Sequence, residues 1–358
     1  EGSLPKKVTS RRTFLQPKAW TSTLGASIAF AQPRQRAGKD QLIRAGRPAM
    51  ACQFEIFFPA SQRLKIGGVH RGLDEVQRLE RQMSVYREDS EISALNRQAQ
   101  DGPVEVEEGL FSLLRLGVDL YRETQGAFDM TASPLSRCWG FFERQGRIPE
   151  QVEIDRALHS VGSAFLDLDP AKRSILFRCK DLQLNLGSIG KGYALDRAAT
   201  ILKGAGLGQA LLHAGYSSLL AMGDAPSGDE GSGWQVSIRH PLEKNGNFVV
   251  VRLHDQAMAT SGTGQQYFIS DSKRYGHIID PRTGYPADLN LSATAFAKMA
   301  AQADALSTAF FVMRPEEIEN YCKRNPEVGA LIVPKSADDA PLQYHSFGLV
   351  PEDLEVYL

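Results

Sequence analysis

One short stretch of the chain, residues 275–286, concentrates side chains that could carry out proton transfer. It holds His277, Asp280 and Arg282 close together, with Pro281 at the start of a turn. An imidazole titrates near neutral pH and can accept a proton from a hydroxyl group, so His277 is a candidate general base. The stretch therefore predicts a strand end followed by a turn that supports a catalytic histidine. A purely structural histidine at a strand end is the alternative at this point.

A second candidate is the pair Asp304 and Thr308, which lies in an apolar stretch at 300–311. Residues four apart share a helix face, so the pair presents oxygen atoms side by side, as a hard cation such as Mg²⁺ requires. The alternative is that Thr308 packs in the core and Asp304 caps or pairs locally. The spacing alone does not decide between a metal site and a structural pair.

A third candidate is the glycine-rich turn at residues 187–192, which contains Lys191 and precedes a predicted helix. Backbone N–H groups at a helix N-terminus favour anions, and glycine lets a ligand approach the backbone closely. The spacing matches neither the nucleotide-hydrolase loop nor the dinucleotide-binding fingerprint. A phosphate-binding turn and a simple packing turn both fit this pattern.

Apolar patterns with strand and helix periods predict the elements that must position these residues. The predicted strands lie at 54–58, 164–168, 174–177, 182–186, 211–215, 234–239, 248–253, 257–260, 267–269 and 291–296. The predicted helices lie at 73–83, within 84–96, and at 110–121, 193–202 and 300–311. We therefore predict an α+β fold with mainly antiparallel sheets flanked by helices.

The overall composition limits the function classes. The chain has 358 residues, of which 42% are hydrophobic and 23% charged, and its net charge is −1. Basic residues form no stripe beyond the first forty positions, which argues against nucleic acid as a partner. The cysteines form no Cys-x-x-Cys motif, so neither a zinc site nor a disulfide framework is predicted. They are Cys52, Cys138, Cys179 and Cys322.

The N-terminus is similar to a twin-arginine export signal. Residues 10–16 read SRRTFLQ, and residues 29–31 read AFA, a small-x-small cleavage pattern. The run between them is too short and too polar to span a bilayer, so no stable membrane insertion is predicted. We expect an export signal at 1–31, a linker at 32–46 and the functional domain at 47–358. This predicts a periplasmic protein, with association at the membrane surface left open and a disordered basic leader as the alternative.

Several blocks of the sequence, taken in order, resemble the ApbE-type flavin transferases (FAD:protein FMN transferases). The blocks are Met50, 86–96, 124–129, 187–196, 214–215, 259–262, 277–286 and 303–308, and the resemblance covers roughly residues 48–335. It implies an ApbE-like (T-fold-like) architecture with FAD bound in a cleft between two lobes. It also implies covalent protein flavinylation, in which FMN passes from FAD to a threonine hydroxyl of an acceptor flavoprotein with the help of Mg²⁺.

The resemblance implies roles for individual residues. The catalytic set is His277, Asp280 and Lys191. The metal set is Ser188, Asp304 and Thr308, with Mg²⁺ at the pyrophosphate of FAD. The FAD-contacting set is Met50, Tyr86, Asn96, Asp129, Lys191, Gly215, Ser261, Gly262, Ile278 and Thr283.

The chain differs from the family pattern at a few positions around the expected nucleotide. They are Ala51, Cys52, Asn185, His213, Tyr216 and Ser217. Tyr216 stands where the family has glycine, and tyrosine adopts glycine-type backbone angles only at a cost. Two further hypotheses therefore stay open: a catalytically impaired FAD-binding protein, and a hydrolase that splits FAD into FMN and AMP.

Overall fold

The computed structural model describes residues 28–29, 41–226, 233–243, 246–264, 266–336 and 341–357. The strands are β1 (Ile28–Ala29), β2 (Leu42–Ala49), β3 (Cys52–Pro59), β4 (Val104–Glu105), β5 (Leu166–Asp169), β6 (Ser174–Phe177), β7 (Ala210–Ala214), β8 (Ser218–Met222), β9 (Trp234–Arg239), β10 (Asn247–Leu253), β11 (Ala257–Gly262), β12 (Tyr267–Ser270), β13 (Lys273–Gly276), β14 (Asn290–Ala297), β15 (Gly329–Pro334), β16 (His345–Phe347) and β17 (Leu354–Val356). The helices are α1 (Ile66–Met83), α2 (Glu91–Gln98), α3 (Glu108–Glu123), α4 (Ser133–Cys138), α5 (Gln151–Leu158), α6 (Gly190–Gly204), α7 (Ala300–Val312) and α8 (Pro315–Arg324). Short 3₁₀ turns lie at Ala60–Lys65, Ser163–Phe165 and Pro351–Asp353.

The largest sheet has eight antiparallel strands in the order β16-β15-β14-β11-β8-β7-β3-β2. Alternate residues face opposite sides of a strand. Leu212 and Leu220 join the core formed with α1, α6 and α7, whereas Leu211 and Leu219 join a core formed with β9 and β10 of the sheet β1-β9-β10-β17. Because both faces are covered, the central strands are almost continuously apolar.

A smaller lobe has its own core and carries the ribbon formed by β12 and β13. Leu135, Trp139, Ile154, Phe268 and Ile279 are buried together in this lobe. β13 ends at Gly276, so His277 follows it directly, and Ile279 forms a single antiparallel bridge with Pro286. A separate three-stranded sheet has the order β4-β6-β5, and none of its strands pairs with β12 or β13.

The α+β class with antiparallel sheets is confirmed, and most predicted elements occur within a few residues of their expected bounds. The predicted strand at 182–186 is wrong. Instead of a neighbouring strand, the side-chain amide of Asn96 pairs with the backbone of Leu184, donating to its carbonyl (2.9 Å) and accepting its N–H (2.8 Å). The segment is apolar because Leu184 and its alternate neighbours are buried in the core.

The predicted linker at 32–46 overlaps an ordered strand, because β2 starts at Leu42 and pairs with β3 along its whole length. The export motif at 10–16 lies outside the described residues, and of the proposed signal only Ile28–Ala29 is described, paired with β9. None of the helices in the described part of the chain is both long and apolar enough to cross a membrane.

Candidate active site

The frame of the site is the crossing of α6 and α7. Neither helix has a capping side chain next to its own N-terminus. Asp304 in α7 accepts the N–H of Gly192 in the first turn of α6 (2.9 Å). Asp196 in α6 accepts the N–H groups of Ala300 and Ala301 in α7 (2.8 and 2.9 Å). Each aspartate therefore caps the other helix, where free N–H groups and the helix dipole favour negative charge.

The crossing is close because residue 192 is a glycine. A Cβ at Gly192 would lie 2.0 Å from the carbonyl oxygen of Ala300, far inside contact distance. The same closeness removes water from Asp196, and this burial raises the pKa of its carboxyl group to about 6 although two backbone N–H groups oppose the shift. The two helices are thus held together by the close backbone approach at Gly192 and by the aspartate cap that each helix provides for the other.

Asp304 lies at the bottom of the site and is buried. Its Oδ1 accepts a hydrogen bond from the hydroxyl of Ser218 on β8 (2.6 Å), while its Oδ2 takes the N–H of Gly192. Thr308, one turn further along α7, places its hydroxyl 3.4 Å from the hydroxyl of Ser261 on β11. Asp304 is therefore a capping residue, but for a distant helix rather than for its own.

The oxygen atoms around Asp304 suit a hard cation. Each carboxylate oxygen accepts one hydrogen bond from the protein and keeps lone-pair capacity for a metal. The described residues contain no group of three or more His, Cys, Asp or Glu side chains that could enclose an ion. Mg²⁺ is commonly held by one or two carboxylates together with substrate phosphates and water, so Asp304 and Thr308 fit a metal that a bound pyrophosphate completes.

The turn before α6 carries Ser188 and is shaped by Asn185. The side-chain oxygen of Asn185 accepts the N–H of Gly187 (2.9 Å), which is the hydrogen bond of an Asx turn. Asn185 therefore supplies the acceptor that fixes the shape of this turn. Ser188 is half-buried and lies two residues before the first residue of α6, on the same turn that leads to Gly192.

Lys191, the second residue of α6, points at the turn between β7 and β8. Its ammonium group contacts the hydroxyl of Ser217 in that turn. Electrostatic interactions also link Lys191 to His277 and to Cys52, and Cys52 in turn to Asp304. The structure therefore brings the predicted catalytic lysine and histidine to the same site as the predicted metal ligand.

His277 is held in one tautomer. Its Nδ1 lies 3.1 Å from the carbonyl oxygen of Gln266, and since a carbonyl can only accept, Nδ1 carries the proton and donates. Nε2 is left as the basic nitrogen. Burial lowers the pKa of His277, and the nearby charge of Lys191 lowers it further, against the opposing effect of the Gln266 carbonyl. The imidazole is therefore neutral at neutral pH and can accept a proton.

Asp280 organises the turn that follows His277. Its carboxylate accepts the backbone N–H of Arg282 (2.9 Å) and the guanidinium group of the same residue (3.0 Å from Nε and from Nη2). Its backbone carbonyl accepts the N–H of Gly284 (2.8 Å), and the guanidinium reaches on to Glu317 (3.1 Å). These contacts give Asp280 a structural part in the turn, with both carboxylate oxygens engaged by Arg282.

Two neighbouring hairpin turns form one wall of the site. Met50 and Ala51 join β2 to β3, and both have positive φ (49° and 57°), as a two-residue turn of this kind requires. Gly215 and Tyr216 join β7 to β8 with φ of 58° and 59°. Cys52 lies against Gly215, since a Cβ on this glycine would approach the Cβ of Cys52 to 2.7 Å. Burial raises the pKa of the Cys52 thiol to about 11, so it stays protonated.

Tyr216 takes the left-handed backbone conformation although it has a side chain. Its ring, 37% exposed, stacks on the imidazole of His213 (centroids 4.9 Å apart), and that imidazole lies 2.6 Å from the buried carboxylate of Glu55. Burial alone would raise the pKa of Glu55, but His213 and then Arg44 outweigh it and leave the pKa below its usual value. The unusual residues His213 and Tyr216 thus support each other.

Three predicted FAD contacts have hydrogen-bond or ring partners within the protein. The side-chain amide of Asn96 is hydrogen bonded to the backbone of Leu184. Asp129 is buried and accepts hydrogen bonds from Thr131 and Ser163. Burial raises the pKa of Asp129. Tyr86 is 73% exposed and stacks on Phe142 (5.1 Å).

The remaining predicted contacts lie on the elements that surround the site. Ser261 and Gly262 end β11 and are half-buried, and Ser261 also hydrogen bonds to Ser307 (3.0 Å). Ile278 is half-buried beside His277, whereas Thr283 is exposed and its hydroxyl accepts the N–H of Tyr285 (3.3 Å). The turn residue Met50 donates its N–H to Glu80 (2.7 Å).

No role was predicted from the sequence for four residues that shape the site: Asp196, Ser217, Ser218 and Gln266. Asp196 had a usable signal, since it lies one helical turn after Gly192 and no local cap precedes α7. The other three act through contacts between segments distant in sequence, for which no local pattern exists.

Comparison with known proteins agrees with this geometry. The sequence profile of the ApbE family matches residues 50–332. The FAD:protein FMN transferase of Escherichia coli K12 is 32% identical over 248 residues, covering 68% of this chain and 70% of the relative. The enzyme of the same name from Treponema pallidum is 32% identical over 280 residues, covering 74% and 77%.

Comparison with solved structures also identifies ApbE proteins as similar to this chain. The ApbE protein of Thermotoga maritima superimposes with a TM-score of 0.75 at 29% identity, covering 85% of this chain and 96% of that one. The apo form of the flavinyl transferase ApbE of Pseudomonas stutzeri gives 0.72 at 27% identity, covering 87% and 96%. The chain therefore belongs to the ApbE family and is a transferase with FAD:protein FMN transferases as its relatives.

Proposed function

We propose that the protein transfers FMN from FAD to a threonine hydroxyl of an acceptor protein, in a reaction that depends on Mg²⁺. The observation that carries this proposal is the tautomer of His277, whose Nδ1–H is bound to the Gln266 carbonyl while Nε2 is left basic. A neutral imidazole beside the ammonium group of Lys191 is suited to take a proton from a hydroxyl next to an anionic substrate.

The metal is proposed from the chemistry of its oxygen ligands. Asp304 and Thr308 would hold Mg²⁺ together with the backbone carbonyl of Ser188. When bound, Mg²⁺ acts as a Lewis acid that neutralises charge on the pyrophosphate. Asp196 and Gly192 keep Asp304 in position through the crossing of α6 and α7.

The proposed reaction is a phosphoryl transfer. The threonine oxygen forms a bond to the phosphorus on the FMN side of FAD, and the bond from that phosphorus to the bridging oxygen breaks. AMP leaves with the bridging oxygen, and the hydroxyl proton passes to Nε2 of His277. Lys191 offsets negative charge on the phosphates, and Asp280 keeps the turn after His277 in shape through Arg282.

The reaction is tested with purified protein, FAD, Mg²⁺ and membrane and soluble protein fractions from cells that produce it. Flavin fluorescence on a denaturing gel and mass spectrometry of the labelled peptide should locate FMN on a threonine. Free FMN and AMP without labelled protein would indicate hydrolysis instead. Bound FAD that stays intact would indicate a binding protein and contradict the proposal.

We further propose that residues 1–31 direct export to the periplasm. The support is the SRRTFLQ motif at 10–16, whose paired arginines can be replaced by lysines without changing charge. The Arg11→Lys and Arg12→Lys double variant should remain in the cytoplasm, whereas a Lys6→Arg variant should be exported normally. Equal export of both variants, measured by cell fractionation, would contradict a twin-arginine signal.

A further inference from the structure

The ribbon of β12 and β13 has an open edge directly before His277. Its register pairs Tyr267 with Gly276, Phe268 with Tyr275, Ile269 with Arg274 and Ser270 with Lys273. The N–H of His277 donates to the carbonyl of Gln266 (3.1 Å), so these two residues form a hydrogen-bonded pair. Such pairs alternate with non-bonded ones in antiparallel strands. The backbone groups of Arg274 and Gly276 therefore point away from β12.

The same edge is already paired further along. The carbonyl of Ile278 accepts the N–H of Ala287, and the N–H of Asp280 donates to the carbonyl of Tyr285 (both 2.8 Å). Residues 278 and 280 therefore hydrogen bond to the returning segment 285–287 on this edge. These bonds do not extend to positions 274 and 276. Among the described residues, positions 274 and 276 have no backbone partner on this edge.

Gly276 leaves space beside this open edge. A Cβ at Gly276 would have no atom within 4 Å, and its φ is not in the left-handed region, so neither crowding nor a turn requires glycine here. Glycine inside a strand often marks a place where another backbone approaches closely. This open space lies on the face of the ribbon opposite the His277 side chain, so a strand added at the edge would meet no described atom there.

The edge is also positively charged. Lys273 is exposed, and its ammonium group lies over the ring of Tyr275 on the same strand (5.4 Å). Arg274 is also exposed, but its guanidinium group is turned towards β12, where it lies over Tyr267 (3.7 Å) and donates to the carbonyl of Thr263. The described part of the chain gives neither residue a carboxylate partner within salt-bridge distance. An incoming segment with acidic residues would meet complementary charge.

We propose that the acceptor protein presents its threonine on an extended segment, with an acidic residue nearby, that adds as a strand to β13 at Arg274 and Gly276. This inference rests on the proposed function and names how its partner is recognised. Strand addition supplies affinity through backbone hydrogen bonds and specificity through alternate side chains. The residue opposite Tyr275 has its side chain on the same face as His277, and this residue is the acceptor threonine.

The first test uses a short synthetic peptide centred on the threonine that the labelling assay identifies. Single backbone N-methyl groups are placed at successive positions, and kcat/KM for FMN transfer is measured. Alternate amides face the edge, so losses should recur at every second position, at about three- to tenfold for each lost hydrogen bond. A loss that is equal at all positions, or absent at all, would overturn strand addition.

The second test changes the enzyme. Arg274→Pro removes an outward N–H, which an edge strand tolerates, while the pairing with β12 uses other residues. Arg274→Ala is the matched control, since it removes the charge but keeps the N–H. Arg274→Pro should raise the KM for the peptide about three- to tenfold above that of Arg274→Ala, with equal FAD affinity by flavin fluorescence. Equal KM values for the two variants would contradict the inference.

The outcomes separate this inference from the function on which it rests. Failure of the wild-type protein to label any acceptor would overturn the proposed function. Labelling of the whole acceptor protein but not of the peptide would overturn only the strand addition, because an extended segment would then be insufficient. Replacing the acidic residues of the peptide by lysine should lower kcat/KM most strongly at low salt.

Discussion

The two halves of the active site are built in different ways. Asp304 is fixed by the crossing of two long helices under an eight-stranded sheet, and both of its carboxylate oxygens are hydrogen bonded within the protein. His277 follows a two-stranded ribbon and is positioned by one carbonyl, that of Gln266. The half that carries the proposed metal ligand belongs to the main core, whereas the half that carries the proposed base belongs to a small lobe with an open edge.

This difference in construction matches the different tasks proposed for the two halves of the site. A two-stranded ribbon alone has little stability, and here a separate aromatic core around Trp139 supports it. In the proposed reaction the pyrophosphate and its metal would need a rigid site, while the acceptor is a protein that must enter and leave. Substitutions at the crossing should therefore affect folding and activity together, and substitutions at the ribbon should affect activity alone.

The largest expected effect is on the ribbon side. His277→Ala removes the proposed general base and should lower kcat for FMN transfer by about 10²- to 10⁴-fold. The melting temperature should change little, because within the described part of the chain the imidazole makes one hydrogen bond, to the carbonyl of Gln266. Steady-state kinetics and thermal unfolding on the same sample check both statements. A parallel loss of kcat and melting temperature would show that His277 is structural.

The second effect compares the two capping aspartates. Asp304→Asn loses one acceptor of the α6 cap and should lower stability by about 0.5–2 kcal/mol. Asp196→Asn also loses one acceptor, but it removes a buried charge, so its net effect at neutral pH should be smaller. Only Asp304→Asn should raise the Mg²⁺ concentration needed for half-maximal rate, by at least tenfold to about a hundredfold. Mg²⁺ titration of both variants makes the comparison. An equal Mg²⁺ requirement in the two variants would remove Asp304 from the metal site.

The third effect compares two glycines. Gly192→Ala forces a Cβ into the carbonyl of Ala300 and should cost about 1–3 kcal/mol or more of stability, with loss of activity. Gly276→Ala meets open space and should leave the free energy of unfolding within about 0.5 kcal/mol of wild type. Urea unfolding of the two variants measures the difference. Similar destabilisation by both would contradict the contrast between crossing and ribbon.

The fourth effect concerns the dependence of stability on pH. The folded-state pKa of Asp196, about 6, lies above its ordinary value of 3.8. The stability contributed by its protonated form is therefore fully present below about pH 4 and is lost as the pH rises towards 6, by up to about 3 kcal/mol. Asp196→Asn should flatten this part of the curve of unfolding free energy against pH. An unchanged slope between pH 4 and 6 would assign the dependence to other groups.

Much of the fold could be predicted from local patterns. The strand around Phe54 and the helix around Leu73 follow from their periodicity, and the helix predicted within 84–96 occurs as α2, capped by Ser90. β8 was missed because it is buried on both faces and shows no alternation. The segment around Leu184 was mistaken for a strand because burial in the core looks the same in sequence whether or not a neighbouring strand is present.

The site was predictable in its residues but not in its contacts. The blocks around Lys191, His277 and Asp304 pointed to one family, and the structure places all three together. The tautomer of His277 depends on Gln266, and the paired helix caps depend on Asp196. These contacts join segments that no local pattern relates. Tyr216 likewise adopts the left-handed conformation with its ring stacked on His213, which in turn lies against Glu55.

The paired helix caps also bear on how the protein is made. Gly192 and Asp304 are 112 positions apart, and Asp196 lies 104 positions before Ala300. Contacts between such distant segments form late, because a long loop must close first. A growing chain on the ribosome therefore has its glycine-rich turn long before it has its capping aspartate. It gains the complete site only when α7 has emerged, so unfinished chains should not turn over the FAD of the cell.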